Sequence, residues 1–218
     1  MKKDALIVLS GGMDSVTMLY EYQNSIEMAV NFMYGSNHNE REAECARYHC
    51  SKLGIELVEI NLGFIGEHFY SSLLEGGDAV PDGAYDFDSM KSTVVPFRNG
   101  IMLAAAAGLA ESRGLTAVMI ANHAGDHAIY PDCRDGFIRA MSKAIAEGTY
   151  EHIELRAPYT LLSKTQIAMR GKQYGVDYGH TYSCYRGGEK HCGRCGTCIE
   201  RRQALAEAGI DDPTEYED

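Results

Sequence analysis

Apolar runs and stretches of helical spacing alternate along most of this chain. Ala5-Leu6-Ile7-Val8-Leu9 is short and continuously apolar, as a strand buried on both faces requires. Past the glycines that follow, Val16, Leu19 and Tyr20 recur at helical spacing. Met28–Met33 reads as a second strand, closed by Tyr34-Gly35-Ser36. Glu40–Leu53 predicts a helix, with Gly54 placed to cap its C-terminal end. Ile55–Leu62 predicts a third strand and Ile65–Leu74 another helix. Glu75–Lys91 has no clear period and is rich in glycine and aspartate, so it reads as a long loop or mobile lid. Asn99–Ser112 is an Ala-rich helix, Ala117–Ala121 a fourth buried strand and Asp135–Glu147 a helix. Ile153–Tyr159 is a fifth strand candidate. Ser163–Tyr174 is helical with Ser163 as N-cap, and Thr197–Ala208 is the final helix.

Strands alternating with helices predict an α/β fold, a doubly wound and mostly parallel sheet. Right-handed crossovers then gather Ser10, Tyr34 and Asn122 at one sheet edge, where ligands bind in such folds. The net charge of −11 repels a nucleic-acid backbone, so nucleic acid is not an expected partner. The apolar runs are too short for a signal-peptide core or a membrane span, which leads to the expectation of a cytoplasmic protein with no membrane partner. Seven cysteines, four of them crowded into 184–198, fit a reducing compartment and point to a metal rather than disulfides.

Two motifs carry chemistry. Ser10-Gly11-Gly12-Met13-Asp14-Ser15 lies between the first strand and the first helix. Adjacent glycines let backbone N–H groups approach a ligand, and the helix start adds unpaired donors and partial positive charge. Ser10 and Ser15 add hydroxyls. Asp14 reads as a helix cap or as the partner of a cation that accompanies the anion. The loop lacks the Gly-Lys-Ser/Thr ending of a Walker loop and is not G-x-G-x-x-G. The second motif is Cys184, Cys192, Cys195 and Cys198, spaced C-x7-C-x2-C-x2-C. Four thiolates this close make a closed tetrahedral site, with one zinc ion favoured and an iron–sulfur cluster the rival. Cys45 and Cys50 read as buried small hydrophobes, and Cys133 is isolated.

The hexapeptide resembles the S-G-G-x-D-S signature of the PP-loop ATP pyrophosphatases, at the N-terminal position that family uses. The resemblance implies ATP cleaved between its α and β phosphates, with AMP passed to a substrate oxygen. Further words follow in order: Val95-Pro96-Phe97-Arg98-Asn99, Tyr130-Pro131-Asp132-Cys133-Arg134, Thr181-Tyr182-Ser183-Cys184-Tyr185 and Asp212-Pro213-Thr214-Glu215-Tyr216. Together the set closely resembles the 7-cyano-7-deazaguanine synthase family of queuosine-precursor biosynthesis.

That resemblance implies a ligase that uses ATP with Mg²⁺ and takes 7-carboxy-7-deazaguanine and ammonia to the nitrile. It is compatible with a homodimer. It implies ATP contacts along Leu9, Ser10, Gly11, Gly12, Met13, Asp14, Ser15, Val16, Thr17, Met18 and Leu19. Ser10, Asp14, Ser15, Arg98 and Lys164 become catalytic candidates, the last two for stabilising phosphate or carboxylate charge. Tyr34, Arg98, Tyr130, Asp132 and Arg134 become substrate-binding candidates, with Asp132 as acceptor for the guanidine-like edge of the base. Residues 1–180 are expected to form the ATP-binding domain, with 181–218 as a metal-holding segment packed on it.

Two features depart from the family pattern as read here. Phe97 stands where Gly is typical, which bears on backbone freedom and pocket width. Ala121–Ile129 differs too, and adds His123, Asp126 and His127. These departures leave open a modified substrate or a reaction that stops at the amide. Other readings of the whole chain are a tRNA-thiolating PP-loop enzyme and a non-catalytic zinc module, the latter suggested by the basic residues between Arg194 and Arg202.

Overall fold

The apolar run at the N terminus becomes the centre of a sheet. The computed structural model describes residues 3–83 and 90–217. Its strands are β1 (Ala5–Val8), β2 (Ile26–Met33), β3 (Glu56–Asn61), β4 (Ala117–Met119) and β5 (Glu154–Arg156). They pair in the order β3-β2-β1-β4-β5, and every pairing is parallel. The helices are α1 (Met13–Glu21), α2 (Asn39–Leu53), α3 (Phe64–His68), α4 (Arg98–Ser112), α5 (Asp135–Gly148), α6 (Lys164–Tyr174) and α7 (Gly196–Glu207).

Period-two alternation of side chains divides β1 between two cores. Leu6 packs with Met28, Val30 and Phe32 of β2 and with Leu103 and Ala106 of α4. Ala5, Ile7 and Leu9 face the other way, onto Val16 and Leu19 of α1 and Ala46 and Cys50 of α2. Leu6 and Ile7 are fully buried, and each stabilises the fold by about 1.5–3 kcal/mol. Covering both faces explains why β1 has no polar residue. Strand order reverses between β1 and β4, so the loops after these strands diverge and open a crevice at the carboxyl edge.

Several expected boundaries move. Of the expected helix 65–74 only the first four residues are helical, in a helix that runs over Phe64–His68. Beyond it the backbone pairs elsewhere: Ser72 N donates to Ser92 O, Asn37 N to Leu73 O and Glu75 N to Gly35 O. Strands β4 and β5 are three residues each, shorter than their apolar runs. Past β5 the chain turns, with Thr160 N donating to Ala157 O. Of the expected lid at 75–91, residues 84–89 lie outside the described residues. The helix ends follow their signals. Gly54 takes the left-handed cap of α2, and Ser163 forms a capping box with Gln166 at α6. The stretch Lys91–Ser112 is long and apolar enough to cross a membrane. Here it is a short 3-10 turn followed by α4, with Met102, Leu103, Ala106, Ala107 and Ala110 buried in the sheet core.

The C-terminal segment is continuous with the main core. Tyr182 and the four clustered cysteines share one apolar cluster with Leu6, Val30 and Leu103. Tyr182 N donates to Gly11 O, which ties the cysteine segment to the glycine loop. Arg201 is fully buried on α7, donating to Thr181 Oγ1 and to Tyr178 O at 2.7 Å each.

Candidate active site

A cleft of about 210 Å³ opens at the carboxyl edge of the sheet, where the strand order reverses. The loop after β1 forms one side. Gly11 has φ of +101°, and an added Cβ there would meet Glu42 O of α2 at 2.0 Å. Only glycine satisfies both the left-handed backbone and the close pass of α2. The loop is held from within. Gly12 N donates to Ser10 Oγ (3.1 Å), Gly11 N to Ser15 Oγ (3.3 Å), and the two hydroxyls lie 3.1 Å apart. Asn31 of β2 donates to Leu9 O and Ser10 O from behind.

Asp14 does not cap its helix. The N-cap of α1 is Gly12, with no side-chain cap bond. The carboxylate instead meets Lys164 at the start of α6, with Nζ to Oδ2 at 2.9 Å. Lys164 is also 3.2 Å from Glu200 of α7. Burial opposes the Lys164 charge, but Asp14, Glu200 and Asp126 outweigh it and hold its pKa above the usual lysine value. Burial likewise opposes the Asp14 charge, and Lys164 overcomes it to leave a lowered pKa. His123 backs this pair. Gly125 N donates to its Nδ1, and its Nε2 lies 3.4 Å from Lys164 Nζ, 3.7 Å from Asp14 Oδ2 and 3.6 Å from Asp126 Oδ2. Asp14 Oδ1 is buried and has no hydrogen-bond partner among the described residues. A free carboxylate oxygen beside an anion cradle fits a hard cation such as Mg²⁺.

Arg98, at the start of α4, lines the opposite wall. Its guanidinium donates to the Tyr34 hydroxyl (2.9 Å) and lies 5.5 Å from that ring centroid. Burial opposes its charge, but Tyr34, Tyr185 and Asp132 hold its pKa well above the usual value. Tyr130 also lines the cleft, its hydroxyl within 2.9 Å of Thr93 Oγ1 and 3.0 Å of Tyr185.

Not every expected contact reaches the cleft. The Val16, Thr17, Met18 and Leu19 side chains are buried along α1, off the wall; Thr17 Oγ1 bonds Met13 O and Tyr178. Asp132 is off the wall as well. It sits in a 3-10 turn over Pro131–Cys133, and its Oδ2 accepts from Asn99 N at 2.8 Å. It therefore caps α4 from outside, a helix whose own N-cap, Phe97, makes no side-chain cap bond. Arg134 is exposed and bonds His127 O. The Phe97 ring does not narrow the cleft either. Phe97 has φ of +55°, and its ring stacks edge-on against Phe137 and lies over Gly100, where a Cβ would meet it at 2.3 Å. Phe at 97 thus goes with Gly at 100.

Several cleft-lining residues carry no role assigned from the sequence, among them Glu42, His38, Asn31 and Asn122. Burial pushes Glu42 of α2 up to about 8 and His38 down to about 3. Asn31 and Asn122 line the walls with buried side-chain oxygens that lack partners among the described residues. The available signals are Asn31, a polar residue inside an apolar strand, and the place of Asn122 just after the fourth strand.

The four clustered cysteines lie at the foot of the cleft, where Tyr182, Ser183 and Thr197 of the same segment reach its wall. Their sulfurs all fall within 4.8 Å of one another and are buried. Cys195 to Cys198 is 3.4 Å and Cys192 to Cys198 is 4.0 Å. A tetrahedral ion with ~2.3 Å bonds to sulfur sets sulfurs roughly 3.8 Å apart, so the donor set fits one metal ion. Cys192 N and Cys195 N donate to the sulfurs of Cys184 and Cys192 at 3.3 Å, the backbone support a thiolate needs.

Sheet order and crevice define a doubly wound α/β protein whose glycine loop and cleft lie together at the switch point. A solved structure of NMN synthetase from Francisella tularensis shares this fold, with a TM-score of 0.51 and 15% identity over 96% of this chain and 78% of that one. The chain belongs to the family of queuosine biosynthesis protein QueC, whose model matches residues 4–209. A 7-cyano-7-deazaguanine synthase of Porphyromonas gingivalis (strain ATCC 33277) is 60% identical, across 99% of this chain and 98% of that protein. Proteins of the same name from Desulfotalea psychrophila and Agrobacterium fabrum are each 47% identical, over 98% of this chain and 98% and 92% of theirs.

Proposed function

We propose that this chain is an ATP-dependent ligase that converts 7-carboxy-7-deazaguanine and ammonia to 7-cyano-7-deazaguanine in queuosine biosynthesis. The observation that carries the reading is the cleft itself. It faces a glycine-loop anion cradle with a half-buried arginine that donates to a tyrosine hydroxyl. One wall suits a polyphosphate and the other a carboxylate, and the reaction joins the two.

Carboxylate is a poor leaving group, and each of its oxygens must be made into a better one. In the first half, a carboxylate oxygen attacks the α-phosphorus of ATP, pyrophosphate leaves, and an acyl-adenylate remains. Ammonia then attacks the acyl carbon and AMP departs with that oxygen, leaving the amide and a proton. In the second half, the amide oxygen attacks the α-phosphorus of a second ATP and pyrophosphate leaves; the adenylated oxygen then departs as AMP while the nitrogen gives up both its protons, leaving the nitrile. Arg98 orients the carboxylate by charge and planar donors. The Gly11–Ser15 backbone, Ser10, Ser15 and Lys164 hold phosphate oxygens, where charge builds as pyrophosphate departs. Asp14, through its free oxygen, would hold Mg²⁺, which neutralises that charge.

Zinc in the cysteine site, held by Cys184, Cys192, Cys195 and Cys198, is part of the same proposal, and its role is to fix the segment that carries Tyr182 and Thr197. None of the seven cysteines is in a disulfide, which suits the cytoplasm. A homodimer and small-molecule partners alone complete the reading.

The test incubates the full chain with ATP, Mg²⁺, ammonia and 7-carboxy-7-deazaguanine and identifies products by mass. The nitrile, AMP and pyrophosphate are expected. ATP cleavage indifferent to the deazapurine contradicts the reading, and amide as the end product changes the product assigned.

A further inference from the structure

Asn122 follows β4 and is 4% exposed. Its amide is fixed in orientation by what it touches. Nδ2 donates to Cys133 O at 2.8 Å and to Thr160 Oγ1 at 3.3 Å. The Thr160 hydroxyl donates its own hydrogen to Ala157 O at 2.8 Å, so it can only accept from Asn122. A flipped amide would set oxygen against the Cys133 carbonyl, so Oδ1 must face away from both. Oδ1 is buried, lies on a residue that lines the cleft, and has no hydrogen-bond partner among the described residues. A buried acceptor in a cleft, pinned and unmatched by protein, is suited to a ligand N–H.

Its neighbours indicate which ligand. Asn99, next to Arg98, donates from its side chain to Cys133 Sγ at 3.2 Å and to Asp132 O at 3.3 Å. Arg98, Asn99, Cys133 and Asn122 therefore form one continuous wall. That wall presents a permanent cation at one place and an obligate acceptor at another. The glycine loop has its own asparagine on the other side of β1: Asn31 donates to Leu9 O and Ser10 O, so it stays with the phosphate side.

We propose that Asn122 is the specificity-determining acceptor for the N–H edge of the second substrate's base, while Arg98 takes its carboxylate. The inference rests on the substrate reading given above. 7-Carboxy-7-deazaguanine carries its carboxylate and one N–H on the five-membered ring, and two further donors, a ring N–H and an amino group, on the six-membered ring. The polarity of the wall matches that molecule end to end. Asn122 takes over the base-reading role that a sequence reading gives to Asp132, whose Oδ2 is engaged at the start of α4.

The experiment measures kcat/KM for 7-carboxy-7-deazaguanine and for 7-carboxy-7-deazaadenine, which has neither the ring N–H nor the amino group between the ring nitrogens. The wild-type chain prefers the guanine type by about 100-fold or more. Asn122→Ala raises the KM for 7-carboxy-7-deazaguanine about tenfold or more, leaves the KM for ATP within about twofold, and shrinks the preference by the same factor as the substrate KM. Equal use of both compounds by the wild-type chain overturns the inference whether or not any variant folds. So does a rise in the KM for ATP, which would place the adenine at Asn122, or a fall in kcat alone. Wild-type protein inactive toward both deazapurines sinks the substrate reading and this inference with it. Activity without any Asn122 dependence sinks the inference alone.

Discussion

The cysteine cluster and the cleft above it are built in opposite ways. The cluster draws four ligands of one residue type from a span of fifteen residues, Cys184 to Cys198, and its donors face each other. The cleft draws on residues from Val8 to Thr197, of almost every chemical type, and its donors face empty space. One is a closed site that completes a fold. The other is an open site that the fold holds apart. The two meet in the same segment, because Tyr182, Ser183 and Thr197 line the cleft while their neighbours hold the cluster.

Removing a ligand from each site should separate them. Cys195→Ser, or stripping the metal with a chelator, is expected to cost the most, since structural tetrathiolate zinc contributes on the order of 10 kcal/mol to folding at neutral pH. Metal analysis and thermal melting should show loss of one zinc per chain together with a collapsed transition, and activity should go with it. An unchanged melt after complete metal loss would mean the cluster does not hold the segment. Asp14→Asn should do the reverse. Turnover is expected to fall about 10²–10³-fold, with circular dichroism and melting close to wild type, because the loss falls on phosphate charge stabilisation. Near-normal turnover would break the assignment of the loop.

The same contrast explains what was legible in the sequence. The cluster and the glycine loop are local words, and Gly11 declares itself because a left-handed backbone passing under α2 admits nothing larger. The parallel sheet was legible in strands such as β1 and β4, which carry no polar residue on either face, but the order of the strands was not. Wall residues were harder. Asp132 was read as a ligand contact because Y-P-D-C-R is a distinctive word, yet a 3-10 turn aims Oδ2 at the Asn99 N–H. Glu42 sits in an ordinary amphipathic helix that passes close to the glycine loop, and His38, just before that helix, packs against Tyr185, which is distant in sequence. Asn122 acquires its meaning from Cys133 and Thr160, which are distant in sequence. Phe97 looked like a change of pocket width, and its ring instead rests on Gly100.

Smaller effects sharpen the comparison further. Glu42 is pushed up to about 8 by burial. A carboxyl whose folded pKa lies above its unfolded value contributes stability below the unfolded pKa and loses it as pH rises through the folded one. Urea unfolding should therefore show wild type losing stability relative to Glu42→Gln between about pH 4.5 and pH 8, with no further divergence above. A parallel pair of curves would show that Glu42 is not held neutral. Asp132→Ala should be milder still, costing about 1 kcal/mol by loss of the cap on α4, while Asp132→Asn keeps an acceptor and most of that stability. A large rise in substrate KM from Asp132→Asn, with the melt unchanged, would return Asp132 to the cleft as a base contact.

The most direct test of the central claim follows the atoms. With ¹⁸O in the substrate carboxylate and ¹⁵N in the ammonia, mass spectrometry reads both ends of the reaction. Adenylation of a carboxylate at the glycine loop predicts ¹⁸O in AMP and ¹⁵N in a nitrile that has lost both oxygens. Label in inorganic phosphate alongside ADP, or AMP formed without ¹⁸O, would contradict it.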